Sequence, residues 1–103
     1  MSFTALAEPA RREILDLLRD GERSVGELVA DLRLSQPGVS KHLRVLRDAG
    51  LVEARVEAQR RVYSLRPEPL ADVDAWLAPY RRLWSSRLDA LEAHLATAAS
   101  EEA

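Results

Sequence analysis

The stretch SQPGVSKHLRVLRDAGLV, Ser35 to Val52, decides the fold of this chain. It opens with a hydroxyl residue that suits a helix N-cap, continues with a proline in the first turn, and reaches Gly50, a typical helix stop. These signals predict a short helix. At about 100° per residue, Val39, Leu43 and Leu46 share one face of that helix. We therefore expect this face to pack against the core.

The opposite face of the helix is polar and basic. Glutamine reads adenine and arginine reads guanine through paired hydrogen bonds, whereas lysine and serine more often hold phosphate. The N-terminus of a helix also offers exposed N–H groups and a partial positive charge to a phosphate. This chemistry makes DNA-contact candidates of the residues at the helix start and along this side: Ser35, Gln36, Pro37, Ser40, Lys41, His42 and Arg44.

The residues before Ser35 predict a helix-turn-helix. An apolar segment at Phe3–Leu6 suggests one or two helical turns, and Pro9 suits the first turn of a longer helix. Ser24 and Glu27 have the spacing of a capping box, which predicts another short helix. Only about three residues, 33 to 35, then separate it from the basic helix. Two helices joined this tightly cross steeply, and the second one enters the major groove of DNA.

The pattern changes after Gly50 from helical spacing to two short runs rich in β-branched and aromatic residues. Leu51–Val56 and Arg61–Leu65 flank the segment Glu57–Arg60, which predicts a hairpin with a basic tip. The segment lacks glycine, so the turn type stays open. Such a hairpin would lie beside the basic helix as a wing. Arg60 and Arg61 would then reach backbone phosphates or the minor groove.

The charge is unevenly distributed along the chain. The 103 residues have a net charge of −2, yet residues 36 to 66 contain seven basic and three acidic residues, a local charge of +4. The remainder therefore carries −6. The charge distribution is more informative about the binding partner than the net charge of the whole chain. It favours an anionic partner for residues 36 to 66.

The composition excludes several classes of protein. With 47% hydrophobic and 31% charged residues the chain is globular, and with no cysteine it has neither disulfides nor thiolate chemistry. No apolar run approaches the roughly 18 residues of a membrane span, and the start lacks the layout of a signal peptide. We expect a soluble cytoplasmic protein that is nucleoid-associated when bound to DNA. A domain this small often depends on a partner chain.

A last long helix is predicted after Pro67 and Pro69. Its apolar residues follow a near-heptad spacing, and a chain of this size cannot cover so long a face alone. A cofactor site would need a polar group and a cavity beside the aromatic residues, which nothing indicates. We therefore expect a homodimer, whose interface contains Leu70, Val73, Trp76, Leu77, Tyr80, Trp84, Leu88 and Leu91.

The two histidines do not indicate a catalytic or metal site. His42 falls about 60° from the centre of the apolar face of its helix, so we expect it to be half buried. Its expected role is to position the helix or to touch a phosphate. His94 lies on the last helix between Leu91 and Leu95, and a place on the interface or surface is favoured.

Taken together, LAEPARREILDLL, SVGELVADLRLSQPGVSKHLRVLRDAGLV and RRVYSL resemble the ArsR/SmtB family of bacterial winged helix-turn-helix repressors. The resemblance covers Leu6 to Leu65, with the long helix in the expected place. It implies a homodimeric repressor on a short inverted repeat. By position, it also implies that four residues of the basic helix contact the DNA groove: Gln36, Ser40, Lys41 and Arg44. The residues it implies for the wing are Arg60, Arg61 and Tyr63.

The metal sensing of that family is not implied here. Members sense metals through cysteines on the first helix of the helix-turn-helix, or through Asp and His on the last helix. The corresponding segment Glu27–Asp31 has no cysteine, and Ser85 and Leu88, at the family's spacing after Asp74, cannot ligate a metal. The last helix resembles a subgroup that lacks the metal site. We expect no metal and no cofactor, and the small-molecule effector stays unknown.

These observations predict a mainly α fold with a small β-hairpin, a winged helix-turn-helix in the order α-α-α-α-β-β-α. We expect one domain over residues 1–103, with the helix-turn-helix at about 24–50, the wing at about 51–66 and a dimerisation helix at about 69–97. The expected function is sequence-specific transcriptional regulation. The alternative is a winged helix that binds another protein. An enzyme has little support, because no nucleophile–base pair, metal cluster or glycine-rich phosphate loop is present.

Overall fold

The winged helix-turn-helix order predicted from the sequence is confirmed by the computed structural model, which describes residues 3–102, with side chains for 3–99. A short 3-10 helix, Phe3–Leu6, precedes the main elements. These are α1 (Pro9–Arg19), β1 (Arg23–Ser24), α2 (Val25–Leu32), α3 (Gln36–Asp48), β2 (Val52–Glu57), β3 (Arg60–Leu65) and α4 (Glu68–Glu102).

The predicted capping box determines where α2 begins. The Ser24 hydroxyl accepts a hydrogen bond from the Glu27 N–H at 3.2 Å, and the Ser24 N–H donates to Glu27 Oε1 at 3.0 Å. Each side chain thus satisfies a backbone N–H that the first turn of a helix leaves without a partner. At its other end α2 stops at Arg33, whose φ of 56° is left-handed. This residue turns the chain toward α3.

Both ends of α3 are also closed by local hydrogen bonds. The Ser35 hydroxyl accepts from the Gly38 N–H at 3.1 Å. At the C-terminus the Gly50 N–H donates to the Arg47 carbonyl, and the Leu51 N–H to the Leu46 carbonyl. This is a Schellman motif, which needs a left-handed residue after the helix, and Gly50 supplies it with a φ of 76°.

The predicted hairpin belongs to a three-stranded antiparallel sheet. β3 is the central strand, paired with β2 on one side and with β1 on the other. The hairpin turn places Ala58 at a φ of 57°, and Glu57 pairs with Arg60 across it. Ser24, the second residue of β1, pairs with Val62 and also caps α2. The sheet therefore joins the wing directly to the start of the helix-turn-helix.

The core lies between the helices and the sheet. The apolar face predicted for α3 is confirmed, since Val39, Leu43 and Leu46 are all fully buried. They join a cluster with residues of the other elements, which includes Ile14, Leu15, Leu18, Leu28, Leu51 and Val52. Burial of each such side chain stabilises the fold by roughly 1.5–3 kcal/mol. The core thus fixes the orientation of α3 and leaves its polar side outside.

The chain divides into two compact units, the first ending at Asp72 and the second beginning at Val73 within α4. The assignment of the whole chain to one domain stays a prediction. The helix continues to Glu102, beyond the predicted end near 97, and it contains Pro79. Because proline has no N–H, it cannot donate to the Ala75 carbonyl. Among residues 3–102, no helix is both long and apolar enough for a membrane span.

Loss of the capping hydroxyl should destabilise the fold. We expect Ser24→Ala to lower the free energy of unfolding by about 1 kcal/mol, because the Glu27 N–H loses its acceptor. Urea unfolding at fixed protein concentration measures this change. Ser40→Ala is the control, since Ser40 is an exposed hydroxyl on α3. Equal stability of the two variants would contradict the proposed importance of the cap.

Candidate nucleic-acid interface

A groove of about 730 Å³ opens in the first unit, between one side of α3, the hairpin tip and the first turn of α2. Six residues predicted to contact DNA line it together, although they come from two separate parts of the sequence. They are Gln36, Ser40, Arg44, Arg60, Arg61 and Tyr63. The fold thus brings the recognition helix and the wing to one surface, as the sequence predicted for a winged helix.

The helical spacing of α3 explains which of its residues reach this groove. Gln36, Ser40, Arg44 and Arg47 follow each other at intervals of four, four and three, so they form a stripe along one side. This stripe lies next to the buried face of α3 and faces the hairpin. The helix therefore presents an amide, a hydroxyl and two guanidinium groups in one row.

Four predicted contact residues do not line the groove. Ser35 is exposed and caps α3, and Pro37 and Lys41 are exposed on the outer face of the helix. His42 is half buried, as the sequence predicted, and its Nδ1 atom is buried with no hydrogen-bond partner among the described residues. Contacts of these residues with DNA stay predictions, and they would use the helix start or the outer face rather than the groove.

Tyr63 differs from the other wing candidates because it belongs to the hydrophobic core. Only 6% of its surface is exposed, although it also borders the groove. Its position on the central strand, opposite Ala54 and Arg23, explains this burial. A contact of Tyr63 with DNA stays a prediction, and it would involve only the small exposed part of the side chain. Its main contribution in this structure is to anchor β3 in the core.

Sequence reasoning missed several residues that line the groove. Arg47 continues the Gln36, Ser40 and Arg44 stripe, so its helical spacing could have identified it. Gln59 stands next to the two wing arginines at the hairpin tip. The other residues that were missed are Asp48 and three residues at the start of α2, which are Ser24, Val25 and Gly26. No local signal brings α2 to this surface, because the two-residue strand β1 positions it.

The basic residues of the groove and of the outer face of α3 differ in whether they form ion pairs. Among the described residues, Lys41, Arg44, Arg47 and Arg61 make no ion pair. Arg60, in contrast, lies 3.8 Å from Glu27 and 3.9 Å from Glu57. The α3 side of the groove therefore carries two arginines without an ion pair in the described part of the chain, Arg44 and Arg47, beside one acid, Asp48. Its net positive charge suits a polyanion.

The Glu27 carboxylate is held in its charged form at the edge of this surface. Hydrogen bonds from the Ser24 backbone and side chain lower the pKa of Glu27, and the charges of Arg60 and Arg23 lower it further. A lowered pKa keeps the carboxylate ionised to lower pH than an ordinary glutamate. Glu27 thus places a negative charge next to a wing arginine.

The described residues contain no group of three or more His, Cys, Asp and Glu side chains that could hold a metal ion. Asp74, which the metal-sensing pattern would use, forms an ion pair with Arg81 instead.

Comparison with known proteins matches this chain to one family. A sequence model described as bacterial regulatory protein, arsR family, matches residues 8–54. The HTH-type transcriptional regulator Rv2034 of Mycobacterium tuberculosis is 44% identical over 87 residues, which are 84% of this chain and 78% of that protein. The transcriptional repressor SdpR of Bacillus subtilis is 35% identical over 75 residues, 73% of this chain and 83% of SdpR.

A solved structure gives the same result for the fold. The crystal structure of the ArsR family transcriptional regulator RHA00566 superposes with a TM-score of 0.71 at 36% identity. The match covers 82% of this chain and 87% of that one.

Arg47 gives a direct test of the groove, because the sequence did not identify it. We expect Arg47→Ala to weaken binding to a duplex selected from random sequence, since it removes an uncompensated cation from the groove. If Arg47 holds one phosphate, the slope of log affinity against log salt should become shallower by about 0.9. Arg19→Ala removes an exposed cation of α1 outside the groove and serves as the control. Equal effects of the two substitutions would contradict a special role for the groove.

Proposed function

Since this chain belongs to the ArsR family of bacterial regulatory proteins, we propose that it is a homodimeric repressor that binds an inverted-repeat operator in double-stranded DNA. Like its relatives, the protein is a DNA-binding transcriptional regulator and not an enzyme. The observation that carries the proposal is the groove in which uncompensated arginines of α3 face the wing.

In the proposed complex α3 enters the major groove with its N-terminal half. Gln36 and Arg44 have the chemistry to read base edges, since an amide pairs with adenine and a guanidinium with guanine. Ser35, Ser40 and Lys41 would hold phosphates and set the register of the helix. The wing would follow the backbone through Arg60 and Arg61.

The proposed dimer rests on the exposed apolar face of α4. Trp76, Trp84 and Leu88 expose 53%, 52% and 60% of their surfaces, and Tyr80 and Leu91 are similarly exposed. Exposed apolar patches of this kind mark interaction sites in soluble proteins. Leu83 and Leu95 widen the face, whereas Leu70, Val73 and Leu77 are half buried. Leu70 also packs against the core of the first unit, so it would contribute less to the interface.

The proposed function requires a second copy of the chain, which would cover the exposed apolar face of α4. A two-fold axis would present two α3 helices to half-sites about one helical turn apart, which is why dimeric helix-turn-helix proteins bind palindromes. Repression is supported by the relative SdpR, which is named a transcriptional repressor. A dimer bound over a promoter would exclude polymerase from it.

Sequence-specific DNA binding should depend on the exposed polar residues of α3. We expect Lys41→Ala/Arg44→Ala to lose the preference for a palindromic duplex over a scrambled one, because it removes a phosphate contact and a base contact. Gel-shift titration at several salt concentrations measures both affinity and slope. If the unmodified protein binds both duplexes equally at every salt concentration, the protein-binding alternative gains support.

The oligomeric state tests the α4 interface separately. Trp84→Glu should convert a dimer into a monomer at micromolar concentration, because it buries a charge in an apolar interface. Ser86→Glu is the control, since Ser86 lies on the polar side of α4 with Arg82 and Asp89. Sedimentation velocity distinguishes the two species. An unmodified protein that stays monomeric at that concentration would exclude the proposed dimer.

A further inference from the structure

Five side chains of alternating charge surround the base and tip of the wing, and we name them the wing network: Glu22, Arg55, Glu57, Arg60 and Glu27. Arg55 pairs with Glu22 and, at 2.7 Å, with Glu57 Oε2. The other oxygen of Glu57 lies 3.9 Å from Arg60, and Glu27 Oε1 lies 3.8 Å from the same guanidinium. Three acids thus surround two arginines.

The wing network connects three different elements. Glu22 precedes β1, Glu57 and Arg60 face each other across the hairpin turn, and Glu27 lies in the first turn of α2. The network therefore joins the tip of the wing to the helix-turn-helix. It also leaves Arg60 with two neighbouring carboxylates, whereas Arg61 has no ion pair among the described residues.

Glu27 is held in place independently of Arg60. Its Oε1 atom accepts a hydrogen bond from the Ser24 N–H at 3.0 Å, which is part of the capping box. The carboxylate consequently stays beside the groove whether or not Arg60 is near it. Arg60, at the end of a long and exposed side chain, is the partner that can move.

We propose that Glu27 is a positioning residue that withholds Arg60 from DNA and so limits the affinity of the regulator. The proposal rests on the proposed function, since it needs DNA to bind in the groove. A phosphate that approaches the wing competes with Glu27 and Glu57 for the same guanidinium. Ion pairs between exposed groups are weak, so this competition adjusts the affinity rather than preventing binding.

The substitution Glu27→Gln separates the two roles of this side chain. The amide oxygen of glutamine can still accept the Ser24 N–H, so the capping box is kept, whereas the charge next to Arg60 is lost. We expect binding about two- to fivefold tighter. If the released Arg60 then holds one phosphate, the salt slope should steepen by about 0.9. A residue with a purely structural role would give weaker binding when changed, so the direction of the effect is diagnostic.

The experiment is a double-mutant cycle on a selected duplex, with fluorescence anisotropy at several salt concentrations. It compares the unmodified protein, Glu27→Gln, Arg60→Gln and the double variant, and thermal unfolding confirms that each one folds. Glu13→Gln is the charge control, because Glu13 is an exposed carboxylate of α1 that makes no ion pair among the described residues. Glu57→Gln is a second test of the same arginine and should act in the same direction.

The proposal predicts that Glu27→Gln tightens binding when Arg60 is present and has little effect in the Arg60→Gln background. It is overturned if Glu27→Gln binds equally or more weakly, or if the gain is the same in both backgrounds. An equal gain would mean that the charge of Glu27 repels DNA directly, without acting through Arg60. If the unmodified protein binds no duplex, the proposed function fails, and this inference fails with it.

Discussion

The structure depends on the position of Ser24, where the sheet, the helix-turn-helix and the groove meet. Its backbone lies in β1 and pairs with Val62 of the wing strand, and its hydroxyl caps α2. The reciprocal bond from its N–H fixes the carboxylate of Glu27. A single residue thus sets the distance between the wing and the first helix of the motif. These bonds hold together two of the three elements that line the groove, the wing and the start of α2.

Much of the fold could be predicted because its signals are local. The capping box, the Ser35 cap, the Gly50 stop and the buried face of α3 all involve residues within a few positions of each other. The structure confirms each of them. The sequence signals also predicted the hairpin, because two β-rich runs flank a short turn. Local hydrogen bonds and side-chain periodicity are sufficient for such elements.

The features that escaped prediction depend on distant contacts. β1 has only two residues, too few for an alternating pattern, and it forms because β3 lies beside it. The burial of Tyr63 and the place of α2 at the groove follow from that pairing. Arg47 is different, since its helical spacing from Arg44 can be read from the sequence. Only the groove shows that this side of α3 lies beside the wing. The long-range partner of Arg60, Glu27, could not be read from the sequence at all.

In the proposed function, two copies of α3 bind DNA as a symmetric pair. Hydroxyl-radical footprinting on a duplex selected by the protein tests it most directly, since protection reports the spacing of the two helices. We expect two protected half-sites related by a dyad, with centres about one helical turn, 10–10.5 base pairs, apart. A footprint with a single half-site, or one that moves freely along the duplex, would contradict it.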